Sequence, residues 1–201
     1  MNQNGRSMIE MLGVLAIVGV LSVGGIAGYS KAMQKYRANK TIEQVTQIAN
    51  GIRVLYGGQR SYGNLSTKVL QRAKVVPESA FDGNSTSSAG GDTPRLNSAF
   101  GGEIQVGSRG KYSGGDGKAF YVYITDVPED ACVELLSQEW GDATGLISYG
   151  RGDFRSSHTV GCTKGNNNNA AYACGGDGVM SMTAIMSACN GNNNNITWNF
   201  F

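Results

Sequence analysis

The sequence predicts an α+β fold in which a long N-terminal helix, half membrane-embedded and half amphipathic, packs on a small antiparallel β-sheet domain. Residues 11–29 form an apolar run without a charged side chain, close to the length that a helix needs to cross a bilayer. In residues 31–56, apolar side chains recur every three or four positions, which is the helical period. The last 70 residues of the chain hold all four cysteines, which predict a C-terminal region closed by disulfides.

The amphipathic half of the helix is predicted from one stripe of apolar residues. The stripe consists of Ile42, Val45, Ile48, Ala49, Ile52, Leu55 and Tyr56. We expect the helix to end at Gly57-Gly58, because paired glycines are a typical helix-terminating signal. Residues 57–201 then form a head domain, which is long enough for one hydrophobic core and must cover the apolar stripe.

Four short runs are predicted strands. Residues 119–124 are the strongest candidate, because they form a β-branched and aromatic run of the right length, and residues 103–106, 146–149 and 196–200 complete the expected sheet. Between them lie polar, glycine- or asparagine-rich stretches that predict surface loops. These stretches are residues 82–91, 107–117, 165–169 and 190–195.

One acidic residue, Glu10, stands at the start of the apolar run. A carboxylate in hydrocarbon is costly, so we interpret Glu10 as a functional group that needs a partner. The short polar segment 1–5 precedes the apolar run, which inverts the order of an ordinary secretory signal, where cleavage follows the apolar core.

The segment Gly5-Arg6-Ser7-Met8-Ile9-Glu10 and the helix after it resemble the signal of type IV prepilins. The resemblance implies a leader at residues 1–5, cleavage after Gly5 by prepilin peptidase, and a methylated mature N-terminus at Arg6, where the family usually has an apolar residue. The mature helix would cover residues 6–56, with residues 11–29 in the membrane before assembly.

The resemblance also implies a cellular role. The protein would be a homo-oligomeric subunit of a helical filament, held in the bacterial inner membrane as a precursor and then placed in an extracellular pilus by assembly machinery. In the filament core, Glu10 of one subunit would pair with the cationic N-terminus of its neighbour, since a buried charge is tolerable only when it is paired. The alternatives are a minor pilin, a tip adhesin or a type II secretion pseudopilin.

The cysteines Cys132, Cys162, Cys174 and Cys189 form an even set in a domain that we expect to be exported, which predicts two disulfides with three possible connectivities. Zinc binding by His158, the sole histidine, with three of these cysteines is the weaker alternative, because paired, closely spaced ligands are missing.

The head domain resembles the type IVb pilins in several segments. Residues 127–132 followed by a short helix at 133–140 resemble their first cysteine region, and a helix at 179–188 before Cys189 and the last strand resembles the second. Residues 65–76 and 97–102 are also similar. This resemblance implies that Cys132 pairs with Cys189 and that Cys162 pairs with Cys174.

The basic residues raise a conflict about orientation. Lys31, Lys35, Arg37 and Lys40 follow the apolar run, whereas Arg6 alone precedes it. The positive-inside rule would place the C-terminal domain in the cytoplasm, where disulfides are rare. We favour an exported domain, since the resemblance implies a dedicated processing pathway.

Other function classes have little support. The net charge of +2 gives no nucleic-acid footprint, and we expect no cofactor and no metal. An enzyme is not expected, because no serine or cysteine forms a triad with His158. The tripeptide Arg151-Gly152-Asp153 is too short to predict adhesion by itself.

Overall fold

The computed structural model describes residues 8–86, 94–109, 117–138, 140, 146–152, 172–174 and 180–201. The chain divides into two compact units, Met1–Tyr36 and Arg37–Phe201. One element, the helix α1, continues from the first unit into the second. Residues 37–56, the second half of the helix, pack as part of the second unit. The predicted boundary between the N-terminal helix and the head domain at residue 57 stays a prediction.

The helix α1 spans Met8–Tyr56 without interruption. It ends at the predicted glycine pair, where the backbone N–H of Gln59 donates to the carbonyl of Tyr56 at 2.8 Å. In the second unit, the buried face of α1 consists of Ala38, Thr41, Val45, Ile48, Ala49, Ile52 and Tyr56. The predicted stripe is confirmed except at its edges, because Ile42 is half-buried and Leu55 is 37% exposed.

Within the described part of the second unit, seven antiparallel strands form one sheet, in the order β1-β2-β3-β4-β7-β5-β6. The strands are β1 (Phe81–Thr86), β2 (Pro94–Asn97), β3 (Glu103–Arg109), β4 (Ala119–Val127), β5 (Leu146–Arg151), β6 (Tyr172–Cys174) and β7 (Asn194–Phe200). The last strand lies between β4 and β5, so the final segment of the chain is central in the sheet.

Among the residues that the structure describes, three short α-helices accompany the sheet: α2 (Thr67–Arg72), α3 (Glu129–Ser137) and α4 (Met182–Ala188). The helix expected at 133–140 begins and ends earlier in the chain, as α3. It starts directly after Pro128 because Glu129 and Asp130 then occupy its first turn, where carboxylates are favourable. The expected helix at 179–188 begins later. The side chain of Ser181 caps α4 by accepting a hydrogen bond from the Ala184 N–H at 3.3 Å.

The core of the second unit lies between α1 and one face of the sheet. Phe120, Val122 and Ile124 on β4 pair with Phe200, Trp198 and Ile196 on β7, and all six side chains are almost fully buried. They belong to one hydrophobic cluster with Val45, Ile48 and Ile52 of α1. The predicted packing of an amphipathic half-helix on an antiparallel sheet is confirmed.

The predicted loop at 82–91 is wrong for residues 82–86, which belong to β1. This strand pairs with β2 at the edge of the sheet. Backbone hydrogen bonds hold an edge strand in place, so its side chains can be polar. The strands β2 and β6 were not expected either. Both are short, with four and three residues, and lack an apolar run that would distinguish them from a loop.

Two further polar stretches contain strand residues. Gly107 lies in β3 opposite Tyr121, and a Cβ at this position would overlap the tyrosine ring, so this glycine provides room for a cross-strand aromatic side chain. Asn194 begins β7 and is fully buried. Its Nδ2 donates to the carbonyls of Gly191 at 2.8 Å and Val127 at 3.2 Å.

Candidate assembly segment and bridged head

The first compact unit presents apolar side chains on all sides of α1. The exposed fraction of the large apolar side chains between Met8 and Ile26 runs from 49% at Met11 to 86% at Met8. A helix that is apolar around its whole circumference belongs in lipid or in a protein core. Among the described residues, α1 is the helix that is long and apolar enough to cross a membrane, judged by length and composition.

Five glycines interrupt the surface of this apolar run. A Cβ added at any of them would meet no atom within 4 Å in the monomer. They are Gly13, Gly19, Gly24, Gly25 and Gly28. Glycines on an apolar helix allow a second helix to approach the backbone closely, so this surface is suited to helix–helix packing.

Glu10 lies in the first turn of α1, where the helix dipole favours a carboxylate. Its side chain is exposed, and none of the described residues forms a hydrogen bond or ion pair with it. The predicted processing residues Gly5 and Arg6 lie outside the described residues. Within one subunit, the described chain therefore leaves the Glu10 carboxylate available to a partner.

A disulfide links Cys132 in α3 to Cys189, the residue that follows α4. Their Cα atoms are 5.7 Å apart, and the bridge spans a sequence separation of 57 residues. Both cysteines are almost fully buried against the core. This is the outer bridge that the resemblance to type IVb pilins implied.

The inner bridge remains a prediction. Cys162 lies outside the described residues, and of Cys174 the backbone alone is described, in β6 opposite Ser148 of β5. The zinc alternative loses one of its ligands, because Cys189 is oxidised in the bridge with Cys132. No group of three His, Cys, Asp or Glu side chains within the described ranges is placed to hold a metal ion.

Near the end of α1, Arg53 connects the helix to the end of β7. Its Nε donates a hydrogen bond to the Phe201 carbonyl oxygen at 3.0 Å, and its guanidinium lies 5.4 Å from the ring centroid of Phe200 and 5.9 Å from that of Phe120. Burial lowers the pKa of Arg53, while the nearby Tyr62 hydroxyl acts in the opposite direction. The guanidinium stays charged, since an arginine pKa begins far above neutrality.

The aromatic residues around Arg53 extend this contact. The ring of Phe120 lies 4.8 Å from Tyr62 and 5.3 Å from Phe200, and Tyr62 lies 5.5 Å from Tyr56. Burial raises the pKa of Tyr56. The sequence reasoning did not identify Arg53, because a basic residue in the last turn of a helix is typical and gives no sign of a distant partner.

The comparisons with known proteins agree with this geometry. The family model described as PilS N terminal matches residues 35–200. Over 186 residues the chain is 25% identical to the major structural subunit of bundle-forming pilus of Escherichia coli O127:H6 (strain E2348/69 / EPEC), covering 92% of this chain and 84% of that protein. The subunit of the same description from Escherichia coli O111:H- is 26% identical over 148 residues, 74% of this chain and 70% of that protein.

A solved structure shares the fold. The type IV b pilin from Salmonella typhi superposes with a TM-score of 0.56, covering 81% of this chain and 98% of that one, at 16% sequence identity. The continuous helix, the antiparallel sheet and the match over most of the sequence have one explanation: this chain belongs to the PilS N-terminal pilin family.

Proposed function

We propose that this protein is a structural subunit that polymerises through α1 into a type IVb pilus. The observation that carries the proposal is the exposure of large apolar side chains around the whole circumference of α1 between Met8 and Ile26. Transferring one such side chain out of water stabilises the protein by about 1.5–3 kcal/mol. The apolar surface of this helix must therefore be buried both before and after assembly. The bilayer covers it before assembly, and the helices of other copies cover it in the filament.

Glu10 is the proposed assembly residue. In the filament core, its carboxylate pairs with the N-terminal amine of a neighbouring subunit, and this pairing fixes the axial stagger between copies. Two observations support the assignment: the carboxylate is exposed at the start of an apolar helix, and no described residue of the same chain neutralises it. An unpaired carboxylate in a dry core would be strongly destabilising.

The amine arises by processing. Prepilin peptidase cleaves the inner-membrane precursor after Gly5, and Arg6 becomes the mature N-terminus that assembly machinery places in the growing filament. Intact-mass measurement of assembled subunits tests this step, with a chain that begins at Arg6 as the expected result. Gly5→Val should retain the leader, because a side chain before the cleaved bond would clash in the peptidase. Filaments whose subunits begin at Met1 would refute the proposed cleavage.

Immunogold labelling of sheared filaments tests the structural role. A structural subunit should be labelled along the whole filament length, because every repeat contains a copy of it. Labelling restricted to filament ends would assign the chain to the minor pilins or tip adhesins instead. The same antibody on cells carrying Gly5→Val serves as the matched control and should label no filaments.

A further inference from the structure

At the end of the apolar run and directly after it, α1 carries two tyrosines and two lysines that the proposed function does not use. Tyr29 and Tyr36 are 68% and 61% exposed, and the side chains of Lys31 and Lys35 are exposed as well. All four residues belong to the first compact unit, and we refer to them as the interfacial collar.

The collar lies in an unbalanced positive stretch of the helix. Residues 11–42 contain no acidic side chain, so the nearest acids along α1 are Glu10 and Glu43. Among the described residues neither Lys31 nor Lys35 forms an ion pair, whereas Lys40 lies 3.6 Å from Glu43. No carboxylate of the described residues therefore competes with an external anion for the two collar lysines.

The helical rise places the collar at a defined depth. At about 1.5 Å per residue, Lys31 lies about 3 Å and Lys35 about 9 Å beyond Tyr29, where the apolar run ends. The headgroup layer on each side of a bilayer is roughly 5–8 Å thick. Since side chains on a helix tilt toward its N-terminus, both lysines extend back toward the membrane and reach the headgroups.

We propose that the interfacial collar binds the phosphate groups of anionic phospholipids in the leaflet on the side of the C-terminal domain. The two tyrosines anchor the helix at headgroup level, as amphipathic rings do at membrane interfaces, and the two ammonium groups recruit anionic lipid. The collar thereby retains the subunit in the bilayer before polymerisation. This inference rests on the membrane-inserted precursor of the proposed function.

The proposal also explains why lysines follow the membrane span of a domain that is exported, although the positive-inside rule predicts the opposite orientation. Lysines near a membrane span favour the cytoplasmic side when charge alone sets orientation. If a dedicated pathway exports the domain, the same lysines face anionic headgroups of the opposite leaflet and act as a reversible electrostatic anchor, which salt weakens.

The inference is tested by measuring which lipid the protein holds in the shell directly around its membrane helix. The full chain is reconstituted in phosphatidylcholine bilayers for this measurement. Electron spin resonance with trace spin-labelled phosphatidylglycerol or phosphatidylcholine measures which lipid the helix immobilises. We expect at least about a fivefold preference for phosphatidylglycerol, the factor that one lysine supplies. The double variant Lys31→Gln/Lys35→Gln should lower the preference to near unity. Lys40→Gln, which alters an already paired lysine about 16 Å beyond Tyr29, should leave it unchanged.

Each other outcome overturns a defined claim. Equal immobilisation of both lipids by the wild-type chain would refute the collar while leaving membrane insertion intact. Absence of immobilised lipid of either kind would refute insertion itself, and with it the precursor state of the proposed function. If the wild-type chain immobilises both lipids equally and the double variant nevertheless loses its pili, the two lysines contact other copies of the chain, and the lipid proposal is overturned.

Discussion

The Nε atom of Arg53 and the carbonyl oxygen of Phe201 are joined by a hydrogen bond of 3.0 Å across 148 positions of the sequence. Arg53 lies in the last turn of α1, and Phe201 directly follows β7, the strand between β4 and β5. The contact therefore connects the helix proposed to form the filament core with the end of an interior strand of the head sheet.

Removing the Arg53 side chain should lower the free energy of unfolding of the second unit. Arg53→Ala deletes the hydrogen bond to Phe201 and the cation–π contacts with Phe120 and Phe200, for a loss of about 1.5–3 kcal/mol. Urea denaturation in detergent, followed by near-UV circular dichroism, measures the change. Arg60→Ala is the matched control, because Arg60 is exposed and its loss should change stability by less than about 0.5 kcal/mol. Equal stability of the two variants would remove Arg53 from this role.

The Cys132–Cys189 bridge should stabilise the head by about 4 kcal/mol, because it closes a loop across a sequence separation of 57 residues in the unfolded chain. The double variant Cys132→Ser/Cys189→Ser should unfold at markedly lower temperature, while far-UV circular dichroism retains the signal of α1. Non-reducing peptide mapping of the wild-type chain supplies the control. Linkage of Cys132 to Cys162 or Cys174 would contradict the observed bridge.

Gly102 should tolerate no side chain. A Cβ at this position would overlap the backbone carbonyl of Thr125, which no rotamer change can relieve, so Gly102→Ala should cost about 1–3 kcal/mol. Gly58→Ala is the matched control, since a Cβ there meets no atom within 4 Å. Thermal unfolding of the two variants in the same detergent gives the comparison. An unchanged melting temperature for Gly102→Ala would show that the turn before β3 is looser than described.

Sequence periodicity predicted the parts of the fold that bury apolar surface. The stripe from Val45 to Tyr56, the strand at 119–124 and the strand at 196–200 all carry large apolar side chains whose spacing specifies their structure. Glu10 was recognisable for a related reason, because a charge next to an apolar run is conspicuous.

Backbone-driven elements could not be predicted in the same way. The strands β1, β2 and β6 are held by ladder hydrogen bonds at or near the sheet edges, and Gly107 resembled a loop residue although it accommodates Tyr121. Arg53 joins residues far apart in sequence, and no local pattern encodes such a contact. The processing site and the inner disulfide remain predictions.

The central claim is that α1 drives polymerisation through Glu10, and Glu10→Ala tests it most directly. The variant should insert in the membrane as well as the wild type, because it removes a costly charge, yet pili should be lost, since deleting one member of a buried pair costs about 3–5 kcal/mol per subunit. Glu43→Ala is the matched control, because this exposed acid pairs with Lys40 at the surface, where an ion pair contributes little. Processed subunit is quantified in membranes, and pili are counted by electron microscopy. The account predicts few or no pili at normal subunit levels for Glu10→Ala and normal pili for Glu43→Ala; normal pili in both variants would contradict it.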